Sequence, residues 1–163
     1  MKPKTCIVLS VLAVVLRALA LIAVLAVTVF QEPIKRMYNP DPEILAIHSV
    51  PWSQLVQALF WLILAGIVLL VLLKRPGKGG TIALTIVMAV IYAFFSVVVF
   101  FTLNMQVTQA ISIKGAKELA SNAALSNALS IVTPLFSTPA SILSLLALGG
   151  ACGKDFRVQN TAE

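Results

Sequence analysis

The sequence predicts an all-α, polytopic membrane protein in which a bundle of four transmembrane helices forms a single domain. Of the 163 residues, 60% are hydrophobic and 11% are charged, and the mean hydropathy is +1.00. A soluble domain has about 45–50% apolar and about 25% charged residues, so lipid is the expected solvent. Four apolar segments each reach the roughly 20 residues that a helix needs to cross the hydrocarbon core. They are too uniformly apolar for the alternating pattern of a transmembrane barrel.

The predicted helices span about residues 5–30, 52–73, 81–104 and 128–149. They leave outer loops at 31–51 and 105–127, a short link at 74–80 and a tail at 150–163. The first helix follows MKPK, which resembles the charged start of a signal peptide. Its apolar run of about 26 residues exceeds the usual 7–15 residues of a signal peptide, so we predict a retained helix.

The positive charges predict the orientation of the helices. Seven Lys and Arg residues lie with the termini and the link KRPGKGG, against four in the two loops. The positive-inside rule then places both termini in the cytoplasm. We expect the protein in the plasma (cytoplasmic) membrane. The net charge of +6 reports this orientation and contact with anionic headgroups. No basic face carries groove-reading elements, so no nucleic-acid partner is expected.

The first outer loop is rich in proline and contains the turn signal Asn39-Pro40. Asp41 is a candidate cap for a short helix that starts at Pro42. Two interpretations stay open for the apolar residues after it: contact with the membrane surface, or an ordinary surface loop. Trp52 begins the second helix, where aromatic belts form. In the second loop, residues from Ala116 onward favour helix.

A row of hydroxyl residues runs along the fourth helix at spacings of 4, 3, 4, 4 and 3. Such spacings lie on one helical face. We name it the hydroxyl row: Ser126, Ser130, Thr133, Ser137, Ser141 and Ser144. One interpretation is small-residue packing against Thr81, Thr85, Ala89 and Ala93 of the third helix. The other is a polar pathway lined by hydroxyls.

Two prolines interrupt the hydrogen bonding of the fourth helix. Pro134 and Pro139 free the carbonyls of Ser130 and Leu135, because each proline lacks an N–H. Neighbouring groups re-satisfy such carbonyls in membrane helices, and Thr133 and Thr138 precede the two prolines. We therefore predict a bent fourth helix that is largely enclosed by the other three.

Arg17 is the one charged residue in the apolar run of the first helix. It lies roughly 18–20 Å from either end of that run, at 1.5 Å per residue. Its guanidinium cannot lose its proton, and none of the six acidic residues lies in an apolar segment. Residues of similar depth predict an intramembrane polar cluster: Arg17, Tyr92, Leu135, Ser137 and Thr138. We expect Arg17 to donate to the Leu135 carbonyl, with Tyr92 or Ser137 as second acceptor.

The sequence lacks the groups that most enzymes require. His48 is the only histidine, and two cysteines form neither a zinc site nor a disulfide framework. The stretch GGACGKD resembles a phosphate loop, but Leu148 stands where the pattern requires its first glycine and Asp155 follows the lysine in place of Ser or Thr. We interpret Gly149, Gly150 and Gly153 as a helix stop. We expect no enzymatic activity, no cofactor and no metal.

Two functions agree with these observations. The first is an accessory or assembly subunit of a larger membrane complex, in which Arg17 meets an acidic residue of another membrane protein. The alternative is a small transporter or channel-forming subunit, with a pathway along the hydroxyl row. The expected partners are the lipid bilayer and another membrane subunit or further copies of the chain. Arg17 is also a candidate to bind an anion, either a lipid headgroup or a solute.

Overall fold

A computed structural model of the chain describes residues 1–38, 41–48, 50–108 and 113–157, with side chains for all of these except residue 96 and residues 98–108 and 113–120. The described regular structure is entirely helical. Four of its helices are long and apolar enough to cross a membrane. This agrees with the predicted multi-pass membrane protein.

Six helices follow one another in the described part of the chain. They are α1 (Pro3–Val29), α2 (Gln31–Tyr38), α3 (Pro42–Leu45), α4 (Trp52–Leu73), α5 (Lys78–Thr108) and α6 (Ile113–Ala151). α4 has the predicted bounds, whereas α5 and α6 extend through most of the segment predicted as the second loop. The turn expected at Asn39-Pro40 and the tail from residue 158 lie outside the described residues.

Local signals explain where several helices begin and end. Asp41 caps α3 as predicted, because its Oδ1 accepts a hydrogen bond from the Glu43 N–H at 3.0 Å. α4 stops before Arg75, which has a φ of 52° and so leaves the helical conformation. The helix stop predicted for three glycines differs from the structure. α6 runs through Gly149 and Gly150, and only Gly153 beyond its end has a positive φ, of 69°.

α1 buries a narrow stripe of mostly small residues at alternating spacings of four and three. The stripe consists of Cys6, Ser10, Ala13, Arg17, Ala20, Val24 and Val27. α1 makes its most extensive contacts with α6 and further contacts with α4. Small side chains allow helix backbones to approach closely in lipid. Arg17 occupies the middle of this stripe and therefore faces protein.

The two ends of the molecule differ in how they are closed. At the end that we call the terminal end, Lys154 donates to the Met1 carbonyl, and the Phe156 N–H donates to the Pro76 carbonyl at 3.1 Å. An apolar cluster fills this end. We call it the terminal cluster: Cys6, Leu64, Val68, Leu72, Met88, Leu148, Ala151 and Phe156. The opposite end, the loop end, carries α2 and α3, which both contact α6.

α6 is not enclosed by the other long helices, in contrast to the prediction. One of its faces is exposed, including Ile131, Leu135 and Ile142. Its contacts are chiefly with α1 and only slight with α5. The expected packing row on α5 does not cover it either, because Ala89 and Ala93 are exposed. An apolar outer face suits lipid, so α6 needs burial on one side only.

Candidate functional site

Arg17 is buried, with 5% of its surface exposed, and it points toward α6. Its Nη2 donates a hydrogen bond of 2.7 Å to Oγ of Ser141. Ser141 in turn donates to the Ser137 carbonyl at 2.9 Å. The described acceptor on α6 is therefore Ser141 and not the predicted Leu135 carbonyl. The Leu135 side chain is 67% exposed, on the outer face of α6.

Aromatic residues of α4 and α5 complete the surroundings of Arg17. The guanidinium carbon lies 5.2 Å from the ring centroid of Trp61, within the range of a cation–π contact. Trp61 packs against Tyr92, with ring centroids 4.6 Å apart, and Tyr92 also interacts with Arg17. One residue from each of the four long helices thus meets at a single level: Arg17, Trp61, Tyr92 and Ser141.

A cavity of about 700 Å³ opens between the long helices beside Arg17. α6 contributes most of its polar lining. The members of the hydroxyl row that line it are Ser126, Ser130, Thr133, Ser137 and Ser141. Ser141 lies fifteen positions after Ser126, so the hydroxyl lining follows α6 for about 22 Å at 1.5 Å per residue, and Leu145 lines the cavity one turn further on.

The cavity coincides with the part of α6 that contains both prolines. No residue of α6 between Leu129 and Ala140 is buried, whereas those two residues are. Pro134 lines the cavity and Pro139 is partly buried. Oγ1 of Thr133 is buried without a hydrogen-bond partner among the described atoms, so this hydroxyl does not bond a carbonyl freed by a proline.

The remaining predicted residues lie apart from the cavity. Ser144 is buried, and its described hydrogen bond is to the Ala140 carbonyl of its own helix, at 2.8 Å. Thr138 is exposed on the outside of α6, although Ser137 beside it lines the cavity. The hydroxyl row therefore divides into five cavity residues and one packing residue.

Sequence reasoning missed the four residues of α4 that line the cavity, which are Ala58 and three with polar or aromatic side chains. Gln54, Gln57 and Trp61 follow one another at spacings of three and four, which lie on one face of the helix. Two amides in an otherwise apolar helix were the available signal. Trp61 was a second signal, because tryptophan in membrane helices is enriched at the interfaces and this one lies nine residues inside α4.

The cavity reaches the loop end and stops before the terminal end. Gln54, in the first turn of α4, donates to Oγ of Ser126 at 3.3 Å and links α4 to α6 near the loop end. In the opposite direction the terminal cluster fills the space between the helices. Arg17 and Ser141 lie between the polar part of the cavity lining and the terminal cluster. A molecule in the cavity would therefore contact the guanidinium at its inner end.

No protein-family model matches the chain, and no curated protein or solved structure does.

Proposed function

We propose that this chain is a non-enzymatic, multi-pass protein of the plasma (cytoplasmic) membrane that admits a solute into the cavity between its helices, as a small transporter or channel-forming subunit. In the orientation predicted from Lys and Arg, both termini are cytoplasmic. The cavity then opens toward the non-cytoplasmic side and ends at Arg17, near the middle of the predicted helix bundle.

The observation that carries this proposal is the position of the hydroxyl row. Small residues that served only helix packing would be buried against a neighbouring helix, as Ser144 is. Ser126, Ser130 and Ser137 instead line the cavity and are not buried. Hydroxyls on a cavity wall offer hydrogen bonds to a polar solute, which would otherwise be costly to place among apolar side chains.

The size of the cavity also supports binding of a small molecule. Ligand sites usually enclose about 300–1,000 Å³ and combine apolar walls with a few polar groups. The cavity, at about 700 Å³, lies within this range and has apolar walls that include Ala20, Ala58 and Leu129. A polar lining of this extent is unnecessary for a helix contact.

The test is the access of water-soluble reagents to neighbouring positions of α6. Both native cysteines are replaced by serine, and Ser137→Cys is compared with Thr138→Cys, one residue away on the lipid side. Methanethiosulfonate ethylsulfonate is added from the non-cytoplasmic side of membrane vesicles. We expect the cysteine at 137 to react at least tenfold faster than the cysteine at 138, because only the first lines the cavity. Equal rates, or no reaction at position 137, would refute the proposal.

A different feature favours the accessory-subunit function. α5 exposes large apolar side chains, including Val90 and Phe94 at 63% and 69%, and only 11% of its candidate span is buried. A helix of another subunit would cover this surface. A carboxylate that neutralised Arg17 would have to reach it through the cavity, on the Tyr92 side of α5. A blue-native gel of the protein purified from its source distinguishes the two functions. A hetero-complex that Arg17→Leu disrupts supports the accessory subunit, whereas a monomer or homo-oligomer supports the solute site.

A further inference from the structure

We infer that the ligand of the cavity is an organic monoanion, with a carboxylate or phosphate-ester group bound by Arg17 and an apolar body along α4 and α6. This inference rests on the proposed solute site and specifies its chemistry. It follows from the charge at the inner end of the cavity, the geometry of that charge and the composition of the walls.

The inner end of the cavity carries a positive charge, and no residue that the structure describes there supplies a counter-charge. None of the four candidate spans contains Asp or Glu. The groups that the structure describes around Arg17 are the Ser141 hydroxyl, the Trp61 ring and Tyr92, and none of them is a carboxylate. A buried arginine keeps its proton, so the charge persists at every physiological pH. An anion in the cavity would gain Coulomb energy from this charge, which none of the described side chains around Arg17 neutralises.

The shape of the guanidinium favours a particular kind of anion. Its five N–H donors form a planar fork that matches the two oxygens of a carboxylate or phosphate. The Ser141 oxygen accepts from Nη2 and fixes one edge of the fork. The cation–π contact with Trp61 also positions the group, with the guanidinium carbon 5.2 Å from the ring centroid. With a single cation in the site, a ligand with one negative charge leaves the inner end neutral.

The walls indicate that the anion has an organic body. A volume of about 700 Å³ equals that of about twenty water molecules at 30 Å³ each, far more than a halide ion fills. Ala20, Ala58 and Leu129 provide apolar surface beside the Trp61 ring. Toward the loop end, Gln57 and Asn127 provide neutral donors and acceptors. An apolar body between these groups would displace water from the walls, which favours binding.

Trp61 makes the occupancy of the cavity measurable. The chain has two tryptophans, and Trp52 lies exposed at the start of α4. The variant Trp52→Phe therefore leaves Trp61, which lines the cavity, as the only tryptophan. This variant is placed in nanodiscs of zwitterionic lipid and titrated with benzoate, with methyl phenyl phosphate (a phosphodiester with one negative charge), and with benzyl alcohol as a neutral analogue. We expect benzoate and methyl phenyl phosphate to change the Trp61 emission saturably, and benzyl alcohol to bind at least tenfold more weakly.

A matched pair of arginine variants tests the assignment to Arg17. Arg17→Gln should weaken benzoate binding at least tenfold. Arg36→Gln removes the same charge from an exposed residue of α2 toward the loop end and should leave the affinity unchanged. Arg17→Lys keeps the charge without the planar fork and should give an intermediate affinity. If Arg17→Gln fails to fold, the preference of the wild-type cavity for benzoate over benzyl alcohol still decides the question.

Nanodiscs with one-fifth anionic phospholipid distinguish a soluble anion from a lipid headgroup. If a headgroup enters the cavity, anionic lipid will lower the apparent affinity for benzoate, and native mass spectrometry will detect bound lipid that Arg17→Gln loses. If the ligand is a soluble anion, benzoate will bind equally in both lipid compositions. Either result supports an anion bound by Arg17.

Equal binding of benzoate and benzyl alcohol would overturn the inference, as would equal benzoate affinity in wild type and Arg17→Gln. Both results would leave the solute cavity itself intact. If no probe changes the Trp61 emission and the cysteine at 137 is also inaccessible, the proposed function fails together with the inference.

Discussion

Arg17 of α1 and Ser141 of α6 are joined by a hydrogen bond of 2.7 Å between Nη2 and Oγ, across 124 residues of sequence. The Ser141 hydroxyl in turn donates a hydrogen bond of 2.9 Å to the Ser137 carbonyl. The bond fastens the two helices with the most extensive mutual contact at the level where the cavity ends. A charged donor makes it stronger than a bond between neutral side chains.

Removal of the Ser141 hydroxyl should therefore destabilise the protein through Arg17. We expect Ser141→Ala to lower the free energy of unfolding by about 1 kcal/mol, the usual size of a polar contact between membrane helices. A double-mutant cycle with Arg17→Leu should give a coupling energy of similar size, measured by unfolding in mixed micelles.

Ser144→Ala is the control for this cycle. Ser144 also donates to the carbonyl four residues earlier, but it is not bonded to Arg17. Its coupling to Arg17→Leu should be near zero. Equal coupling for both serines would show that the bond between Arg17 and Ser141 contributes nothing specific.

Replacement of the arginine itself should not weaken the fold. A central arginine costs about 2.5–3.5 kcal/mol on insertion scales, and the serine bond returns only part of this. We expect Arg17→Leu to unfold at the wild-type temperature or above while benzoate binding is lost. A fall of the unfolding temperature by several degrees would instead assign Arg17 a structural role.

Lys35 should make stability depend on pH. It is fully buried in α2, where its ammonium donates to the Ile47 carbonyl, and burial lowers the pKa of this lysine from its ordinary value of 10.5. Between the lowered and the ordinary pKa, the unfolded chain binds more protons than the folded one. Stability should therefore rise with pH toward 10.5 and be lower at neutral pH.

Thermal unfolding between pH 7 and 10 measures this dependence. Lys35→Met should abolish the part of the rise that Lys35 contributes. Lys78→Met, at an exposed position, should retain the wild-type dependence. Parallel curves for wild type and Lys35→Met would contradict the prediction.

The two native cysteines test the predicted orientation. Cys152 is exposed beyond the end of α6, whereas Cys6 is fully buried in the terminal cluster. A membrane-impermeant maleimide should label the protein in inverted vesicles and not in intact cells. Cys152→Ser should abolish the labelling and Cys6→Ser should leave it unchanged. Labelling of intact cells at Cys152 would reverse the orientation of all four helices.

The helices were largely predictable because their signals are local. α4 begins at Trp52 and ends at Leu73, as hydropathy and length indicate, and Asp41 caps α3 as its side-chain chemistry predicts. Hydropathy did not indicate the end of α5 or the start of α6, because both helices continue where the hydropathy declines. The early start of α6 was indicated instead by the helix-favouring residues from Ala116 onward. Hydropathy reports where lipid can surround a helix and not where the helix stops.

The sequence by itself determined that four apolar helices form and that the first carries a permanent charge, Arg17, with no acidic residue in any of the four apolar segments. The composition of the segments decides both. Only the tertiary structure decided which groups meet that charge. Depth alone favoured the Leu135 carbonyl, but the rotation of α1 about its axis is set by its buried stripe, and that rotation turns Arg17 to Ser141. The same packing leaves the hydroxyl row on a cavity wall, since helices that touch through small residues at one level need not touch along their whole length.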